Sequence, residues 1–201
     1  MTRIAATAAV LSLMLGGTTL ANPITRDPSK IPAGTYVLDK RHASLMAKIP
    51  HMGGFSHYTM RFTGLDGGFT IDPTNWRSTS ITFTVNPRSV DTGDAGFNQE
   101  IAGFLGAATS LTPISFVSRT ITGGDTGEGE LTGDLTLHGV TKPVTLKVTF
   151  NGVGPGILGA GTRLGFSGTA HIKRSDFGVT AVSNWAGDEV DLLFEIEFTR
   201  K

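Results

Sequence analysis

Apolar and polar side chains alternate strictly along much of the chain from about Thr35 onward. In the run 144–150 every even-numbered residue is apolar and every odd-numbered one is Thr or Lys. Successive side chains of a β-strand point to opposite faces, so this period of two predicts strands with one apolar face. The same pattern returns at 58–62, 81–85, 131–137 and 190–198.

Short turn sequences rich in glycine separate these runs. They are LDGG at 65–68, GGDTG at 123–127, HGVTKP at 138–143 and NGVGPG at 151–156. A tight turn between two alternating runs indicates an antiparallel hairpin. In the third of these turns we expect Gly139 to take a positive φ and Pro143 to begin the returning strand. The count is eight or nine antiparallel strands, the number at which a sheet closes into a barrel or folds into a sandwich.

The stretch 91–109 breaks the strand rhythm. Phe97, Ile101, Phe104, Leu105 and Ala108 have helical spacing. This pattern predicts a short amphipathic helix after the glycine-containing loop that precedes it, at one end of the barrel.

A second break covers 175–189, sequence SDFGVTAVSNWAGDE. Ser175 or Asp176 is expected to cap a helical turn there, because side-chain oxygens of Ser and Asp accept from free amides at a helix start. Gly187 and Asp188 would close this segment before the last strand. We place this break at a barrel end as well.

The first 21 residues have the pattern of a secretory signal peptide. Arg3 precedes an uncharged apolar run at 4–15, and small residues lead to Ala21. The apolar run is shorter than the roughly 20 residues that a membrane-spanning helix needs. We therefore expect cleavage after Ala21, export from the cytoplasm, and one mature domain over 22–201.

Composition excludes several classes of protein. The chain has 201 residues, a formal net charge of zero and no cysteine. Without surplus Lys and Arg, a nucleic-acid partner is not expected. Without cysteine, disulfides, thiolate metal sites and Cys nucleophiles are excluded. Of the histidines, His51 and His57 form the nearest pair, but they match no metal-binding motif, so no metal or cofactor is expected.

Two pairs of polar residues remain as candidates for chemistry. His42 and Ser44 are two apart, which in a strand puts them on one face, yet no GxSxG motif accompanies them. A hydrogen-bonded structural His42 explains the pair without catalysis. Arg174 and Asp176 follow an apolar strand. They fit either an ion pair and cap at a barrel rim or an Arg that faces a ligand head group.

Six stretches in this order resemble the YceI-like family of exported bacterial proteins. They are TYVLDKRHASL, HMGGFS, SVDTGD, GDLTLHGVTKPVTLKV, IKRSDFGV and DEVDLLFEIEFTRK. The resemblance runs from about Thr35 to the C-terminus. It implies a lipocalin-like antiparallel barrel with a long apolar cavity that binds polyisoprenoid or other amphiphilic lipid chains in the periplasm. It transfers no catalytic residues.

One segment departs from the family pattern. After SVDTG the family usually has an Arg-Asp pair and then an aromatic-rich stretch, whereas this chain continues FNQEIAGFLGAATSLTP, with Glu100 as its only charge. We expect the predicted helix to be a more apolar lid over one cavity mouth, through Phe97 and Phe104.

The fold class expected is therefore all-β: an antiparallel lipocalin-like barrel of about eight strands, with one or two short helices at its ends. The function expected is a non-catalytic carrier of a long-chain isoprenoid or fatty amphiphile, which would be its only bound group. Alternatives left open are an enzyme acting on a lipid or isoprenoid quinone through the polar pairs above, and a solid-cored interaction module. A homodimer, and membrane donor or acceptor proteins, remain possible partners.

Alternation gives the apolar residues expected to contact the ligand. The expected apolar contacts are Phe62, Phe83, Val85, Phe104, Ile114, Phe116, Leu135, Leu137, Leu146, Val148, Phe166, Ile172, Phe177, Trp185, Leu192 and Phe194. The expected polar anchors near a mouth are His42, Ser44, Arg174 and Asp176.

Overall fold

The computed structural model describes residues 24–107, 112–156 and 159–201. The signal peptide predicted over 1–21 lies outside the described residues, as does Ala108 of the predicted helix. Within the described part of the chain, no helix has the length and apolar character to cross a membrane.

The described residues form ten strands and one α-helix. In chain order they are β1 (Gly34–His51), β2 (Ser56–Phe62), β3 (Leu65–Ile71), β4 (Thr82–Val85), β5 (Val90–Asp91), α1 (Ala95–Phe104), β6 (Ile114–Gly123), β7 (Glu128–Leu137), β8 (Val140–Pro155), β9 (Thr162–Lys173) and β10 (Glu189–Arg200). The strand order is β10-β9-β8-β7-β6-β4-β3-β1-β2-β5, and β10 also pairs with β1. Eight strands therefore close an antiparallel barrel, which confirms the predicted fold class.

Strand β1 closes the ring because it has neighbours on both sides. It pairs with β10 on one side, and on the other with β3 through residues 34–37 and then with β2 through 45–51. Its register with β10 shifts between Leu38 and Ala43, so residues 39–42 form a bulge. A bulge bends the strand and redirects its side chains.

The hairpin of β7 and β8 confirms the corner predicted at 138–143. Its turn contains only His138 and Gly139, with φ of 53° and 78°, as in a type I′ turn. The expected position of Pro143 was wrong, because β8 already begins at Val140. Pro143 faces Asp134 of β7, and β8 meets β9 only from Lys147 onward. A proline is tolerated there because β8 has no neighbouring strand among the described residues on its other side at this position, so no hydrogen-bond ladder on that side is interrupted.

Helix α1 confirms the prediction of a short helix in the first break. It begins after Asp94, whose carboxylate accepts from the amide of Phe97 at 2.8 Å. Glycines at 96 and 103 lower its intrinsic stability by about 1 kcal/mol each relative to alanine. Tyr58 on β2 packs edge-on against Phe97, with ring centroids 5.4 Å apart.

The second break holds a 3-10 turn over Arg174–Phe177, but the predicted cap was wrong. Its N-cap position is Lys173, whose side chain makes no capping hydrogen bond. The carboxylate comes instead from Asp188, which accepts from the amide of Ser175 at 2.9 Å and from its hydroxyl at 2.7 Å. Capping across the loop ties the turn to the start of β10.

The barrel has two differently built ends. At the β6–β7 end, the turn 123–127 meets the 3-10 segment Pro73–Ser78 that follows β3. At the β7–β8 end lie α1, the turn Arg174–Phe177 and the β1–β2 hairpin. The apolar faces of the strands point between these ends.

Candidate ligand cavity

The barrel is hollow. A cavity of about 320 Å³ lies between the sheet faces. Ligand pockets occupy about 300–1,000 Å³, whereas packed protein interiors contain few voids larger than a water molecule. The wall of this cavity consists almost entirely of aliphatic and aromatic side chains, most of them from β2 and the eight strands that close the barrel. The interior thus has the size and polarity of a site for an apolar molecule.

Most of the residues expected to contact a ligand lie on this wall. They are Phe62, Phe83, Val85, Ile114, Phe116, Leu135, Leu137, Leu146, Val148, Phe166, Ile172, Leu192 and Phe194, together with the polar Arg174. The thirteen apolar residues lie on strands, at positions that face inward. That these residues contact a ligand stays a prediction.

Three of the expected apolar residues lie elsewhere. Phe104 is at the last position of α1, and its neighbour Leu105 is the residue that reaches the wall. Phe177 is 2% exposed and belongs to the core without lining the cavity. Trp185 is 57% exposed to solvent. Each of the three occurs in a break between strands, where alternation does not fix orientation.

Three of the four expected polar anchors also lie off the wall. His42 lies in the β1 bulge, where its Nδ1 is 2.9 Å from Asp39. Ser44 alternates with Leu45, which is on the wall, so Ser44 faces outward. Asp176 is exposed on the 3-10 turn. The bulge explains the first two, because it changes which β1 residues face inward.

Sequence reasoning also missed part of the wall. Thirteen of the missed residues lie on strands, and six lie outside them: Pro28, Ile31, Trp76, Ile81, Leu105 and Val179. The missed apolar wall residues are Pro28, Ile31, Leu45, Ala47, Ile49, Met60, Phe69, Ile71, Trp76, Ile81, Leu105, Ile121, Leu131, Val144, Phe150, Val179, Val190, Ile196 and Phe198. Stricter use of alternation would have found those on strands.

Hydrogen-bonding groups on the wall are few. The Thr79 hydroxyl, at the β6–β7 end, is buried and has no partner among the described residues. A ligand oxygen or a water molecule would satisfy it. Ser115 also lines the cavity, while Glu130 is exposed. Tail contacts therefore outnumber any polar contacts that the wall offers.

Arg174 brings a buried positive charge to the cavity wall. Its guanidinium donates to four backbone carbonyls: Nε to Gly187, Nη1 to Val179 and Ala181, and Nη2 to Ala186, all at 2.8–2.9 Å. The residue is 7% exposed and forms no ion pair within the described part of the chain. Its main task is to hold the loop 179–187, because these carbonyls use most of its donors.

An ion cluster lies on the outside of the barrel around His42. Arg163 Nη1 is 2.7 Å from both Asp39 and Glu197. Partial burial opposes the charge on Asp39, but hydrogen bonds from His42, the Arg41 amide and Arg163 outweigh it and lower the Asp39 pKa to about 2. Asp39, His42 and Glu197 could ligate a cation by distance alone, but Arg163 already supplies the positive charge between the two carboxylates.

At the β6–β7 end, an aromatic side chain lies against the β6–β7 turn beside an exposed ion pair. Trp76 packs so close to the turn that a Cβ on Gly124 would lie 2.6 Å from its ring. Arg77 stacks on Trp76 at 4.2 Å and binds both oxygens of Asp125 at 2.8 Å. This pair connects the 3-10 segment to the β6–β7 turn across the barrel end.

At the β7–β8 end, α1 contacts neighbouring segments through few groups. Arg88 donates to the carbonyl of Ala107 at 2.9 Å, just beyond the helix. Gly106, with φ of +89°, lies against the ring of His138 at the tip of the β7–β8 hairpin. Leu105 is the one residue of the segment 95–107 that reaches the cavity wall.

Comparison with known proteins matches this architecture to one family. The model of the YceI-like domain matches residues 36–198, most of the chain. The chain belongs to the YceI-like family. The resemblance seen in the sequence motifs is thereby confirmed.

Relatives of this YceI-like chain come from several bacteria. A UPF0312 protein of Vibrio cholerae is 35% identical over 178 residues, covering 87% of this chain and 92% of the relative. Among solved structures, BcnA of Burkholderia cenocepacia superposes with a TM-score of 0.69 at 26% identity, covering 80% of this chain and 98% of BcnA. A polyisoprenoid binding domain from Saccharophagus degradans has the same fold, with a TM-score of 0.63 at 14% identity over 83% of this chain and 98% of that domain.

Proposed function

We propose that this YceI-like protein is a periplasmic carrier that holds the tail of a long-chain isoprenoid or fatty amphiphile in its barrel without converting it. The apolar cavity of about 320 Å³ carries this proposal. A neighbour with this fold is described as a polyisoprenoid binding domain, which makes isoprenoids the first ligand class to test. Export rests on the signal-peptide pattern of residues 1–21.

The energetics of such a site favour the tail over the head group. Burial of one CH₂ contributes about 0.8 kcal/mol, so a five-carbon isoprene unit contributes ~4 kcal/mol before ordering costs. A neutral hydrogen bond, such as one to the free hydroxyl of Thr79, contributes about 1 kcal/mol. Affinity should therefore rise with tail length and depend weakly on head-group chemistry.

The placement of the polar candidates supports binding rather than catalysis. His42 and Ser44 are absent from the wall, and Asp176 is exposed away from it. Arg174 reaches the wall, but carbonyls occupy four of its five N–H donors. No nucleophile and base of the expected pairs meet inside the cavity.

Mass spectrometry of an organic extract of protein purified from its native periplasm tests the proposal. We expect one class of amphiphile in near-stoichiometric amount. Absence of lipid from the extract, or turnover of the extracted amphiphile that is lost in His42→Ala, would contradict a carrier.

A cavity-filling variant makes the test specific to the wall. Ala47 is buried on the wall, and Ala47→Phe should occupy the space of the ligand and remove the extracted lipid. The neighbouring outward position supplies the control, Met46→Phe, which should keep it. In a solid core, Ala47→Phe would instead lower the free energy of unfolding by about 1–3 kcal/mol.

A further inference from the structure

Exposed apolar side chains concentrate in two short segments at the β7–β8 end. Phe55 is 88% exposed, Trp185 57%, Val182 42% and Met52 41%. They are four of the seven large hydrophobic residues exposed in the described part of the chain. We name these four residues the apolar tip. Single exposed hydrophobic residues are common on proteins, but a cluster with two aromatic rings marks an interaction surface.

The two segments form one unit, because backbone hydrogen bonds join them. The amide of Met52 donates to the carbonyl of Trp185 at 2.7 Å. The amide of Gly187 donates to the carbonyl of Pro50 at 2.8 Å, and His51 bridges to Ala186. The β1–β2 hairpin and the loop 179–187 therefore present their apolar side chains together.

Backbone strain also concentrates in the apolar tip. Met52 has a φ of 47° and Val182 a φ of 49°, and they are two of the three non-glycine residues with positive φ in the described chain. For a β-branched residue this conformation is a genuine outlier, and such strain persists only where neighbours enforce it. Here Arg174 holds the carbonyls of Ala181 and Ala186 on either side of the exposed loop residues. The loop is thus fixed in a shape that exposes its apolar residues.

The two segments that carry the apolar tip contain no acidic residue. The sequence has no Asp or Glu between Ala43 and Leu65, and none in 179–187. His57 is exposed beside Phe55, and Lys48 is exposed on the strand that leads to the hairpin. Lys48 faces Asp191 across the register, so the positive charge is modest. Asp188 and Glu189 directly follow the loop 179–187, so apolar insertion rather than charge would provide the binding.

We propose that the apolar tip docks the protein on a lipid bilayer by inserting Phe55 and Trp185 into its interface. Trp and Phe are the side chains that favour this interface, where an aromatic body can be buried while polar atoms stay hydrated. A stable protein interface buries about 800 Å² per partner, usually with 20–30 residues on each side. Four side chains on two narrow segments fit shallow insertion better than a protein interface of that size.

Vesicles of phosphatidylethanolamine and phosphatidylglycerol test the docking with the chain as the cell produces it. Phe55→Ser combined with Trp185→Ser should lower the partition coefficient more than about tenfold. The matched control combines Val117→Ser with Leu193→Ser, which removes exposed apolar residues of 42% and 39% from the sheet exterior. It should stay within about twofold of the parent. Equal losses in both pairs, or a tip variant that changes only the oligomeric mass, would overturn the proposal.

The two tryptophans separate docking from filling of the cavity. Trp185 is in the apolar tip and Trp76 is on the cavity wall. In Trp76→Phe protein, vesicles of brominated lipid should quench and blue-shift the emission of Trp185. In Trp185→Phe protein, quenching of Trp76 reports lipid inside the barrel. The inference rests on the proposed function in one respect: carrying lipid is the reason to dock on a bilayer. Docking itself is tested separately, because an unquenched Trp185 would refute it whether or not Trp76 is quenched.

Discussion

The two ends of the barrel are held together by opposite means. At the β6–β7 end, an exposed ion pair of Arg77 and Asp125 holds Trp76 against a glycine-rich turn. At the β7–β8 end, the buried guanidinium of Arg174, which forms no ion pair with any residue that the structure describes, organises the loop 179–187 through backbone carbonyls. Exposed ion pairs contribute about 0–1 kcal/mol, whereas a buried charge that loses its partners costs several times more.

The β7–β8 end itself divides into a firm half, the loop 179–187, and a soft half, helix α1 with the residues that follow it to 107. The loop held by Arg174 has four hydrogen bonds to a single side chain. Helix α1 beside it has ten residues, two of them glycine, and no basic residue in its last turn. Weak helices open more readily than regions with buried networks. If ligand exchanges at this end, α1 is the part that should move.

The largest effect is expected where the buried network is removed. Arg174→Met keeps an apolar stem but leaves four carbonyls without their donor, so the free energy of unfolding should fall by about 3–5 kcal/mol. Arg77→Met at the opposite end should cost less than about 1 kcal/mol. Urea denaturation of both variants measures the difference. Equal destabilisation would mean that the two ends are not built differently.

The next effect distinguishes two adjacent residues of the soft half. Leu105 reaches the cavity wall, and Phe104 does not. Leu105→Asp places a charge against the tail and removes apolar burial that contributes about 2 kcal/mol or more to binding. Binding of a prenyl or fatty probe should therefore weaken by more than about thirtyfold. Phe104→Asp should change it by less than about threefold. Fluorescence titration measures both, and the reverse order would restore Phe104 as the lid residue.

This pair of residues shows where sequence reasoning succeeds and where it ends. Alternation over 144–150 or 190–198 fixes which residues face inward, since a one-residue error would turn a whole apolar face to water. In α1 the helical spacing includes both Phe104 and Leu105. Only packing against the barrel decides which of them points inside.

The expected contacts that lie off the cavity wall are explained in the same way. Residues 39–42 form a bulge that nothing in their composition announces, so alternation counted along β1 does not give the face of His42 and Ser44. Trp185 is in a loop whose shape depends on distant hydrogen bonds to Arg174. The sequence predicts Arg174 as a polar anchor near a mouth, and in the structure it lies on the cavity wall. Its carbonyl partners, up to 13 residues away, are not predicted from sequence.

A smaller effect should follow from stabilising the soft half. Gly103 in α1 has open space around a built Cβ, so Gly103→Ala should stabilise the helix by about 1 kcal/mol and slow release of a fluorescent lipid about fivefold. Gly165→Ala in β9, whose Cβ would make only an ordinary 3.5 Å contact with Asn151, serves as the control and should leave release unchanged. Asp125→Ala removes the ion pair of the other end. If Asp125→Ala accelerates release more than Gly103→Ala slows it, exchange occurs at the β6–β7 end.

The smallest effect concerns pH, and it should act oppositely at the two ends. At the β7–β8 end, His171 has Nδ1 2.8 Å from Asp191 and Nε2 2.6 Å from Glu189, with Lys173 3.4 Å from Glu189. The hydrogen bonds to Asp191 and then Glu189 raise the His171 pKa above its ordinary 6.5, because both carboxylates favour the charged ring.

A raised pKa in the folded state means that His171 stabilises the fold fully below pH ~6.5, and that this contribution disappears as pH rises through the folded pKa. Asp39, at the β6–β7 end, has its pKa lowered to about 2, so its contribution is present above pH ~4 and disappears as pH falls toward 2. The difference in free energy of unfolding between the parent and His171→Gln should therefore be largest near pH 6 and vanish at alkaline pH. For Asp39→Asn the difference should persist at alkaline pH and shrink only in acid. Urea denaturation across pH measures both curves, and a His171→Gln difference that grows with pH would show that the ring is held neutral between its two carboxylates.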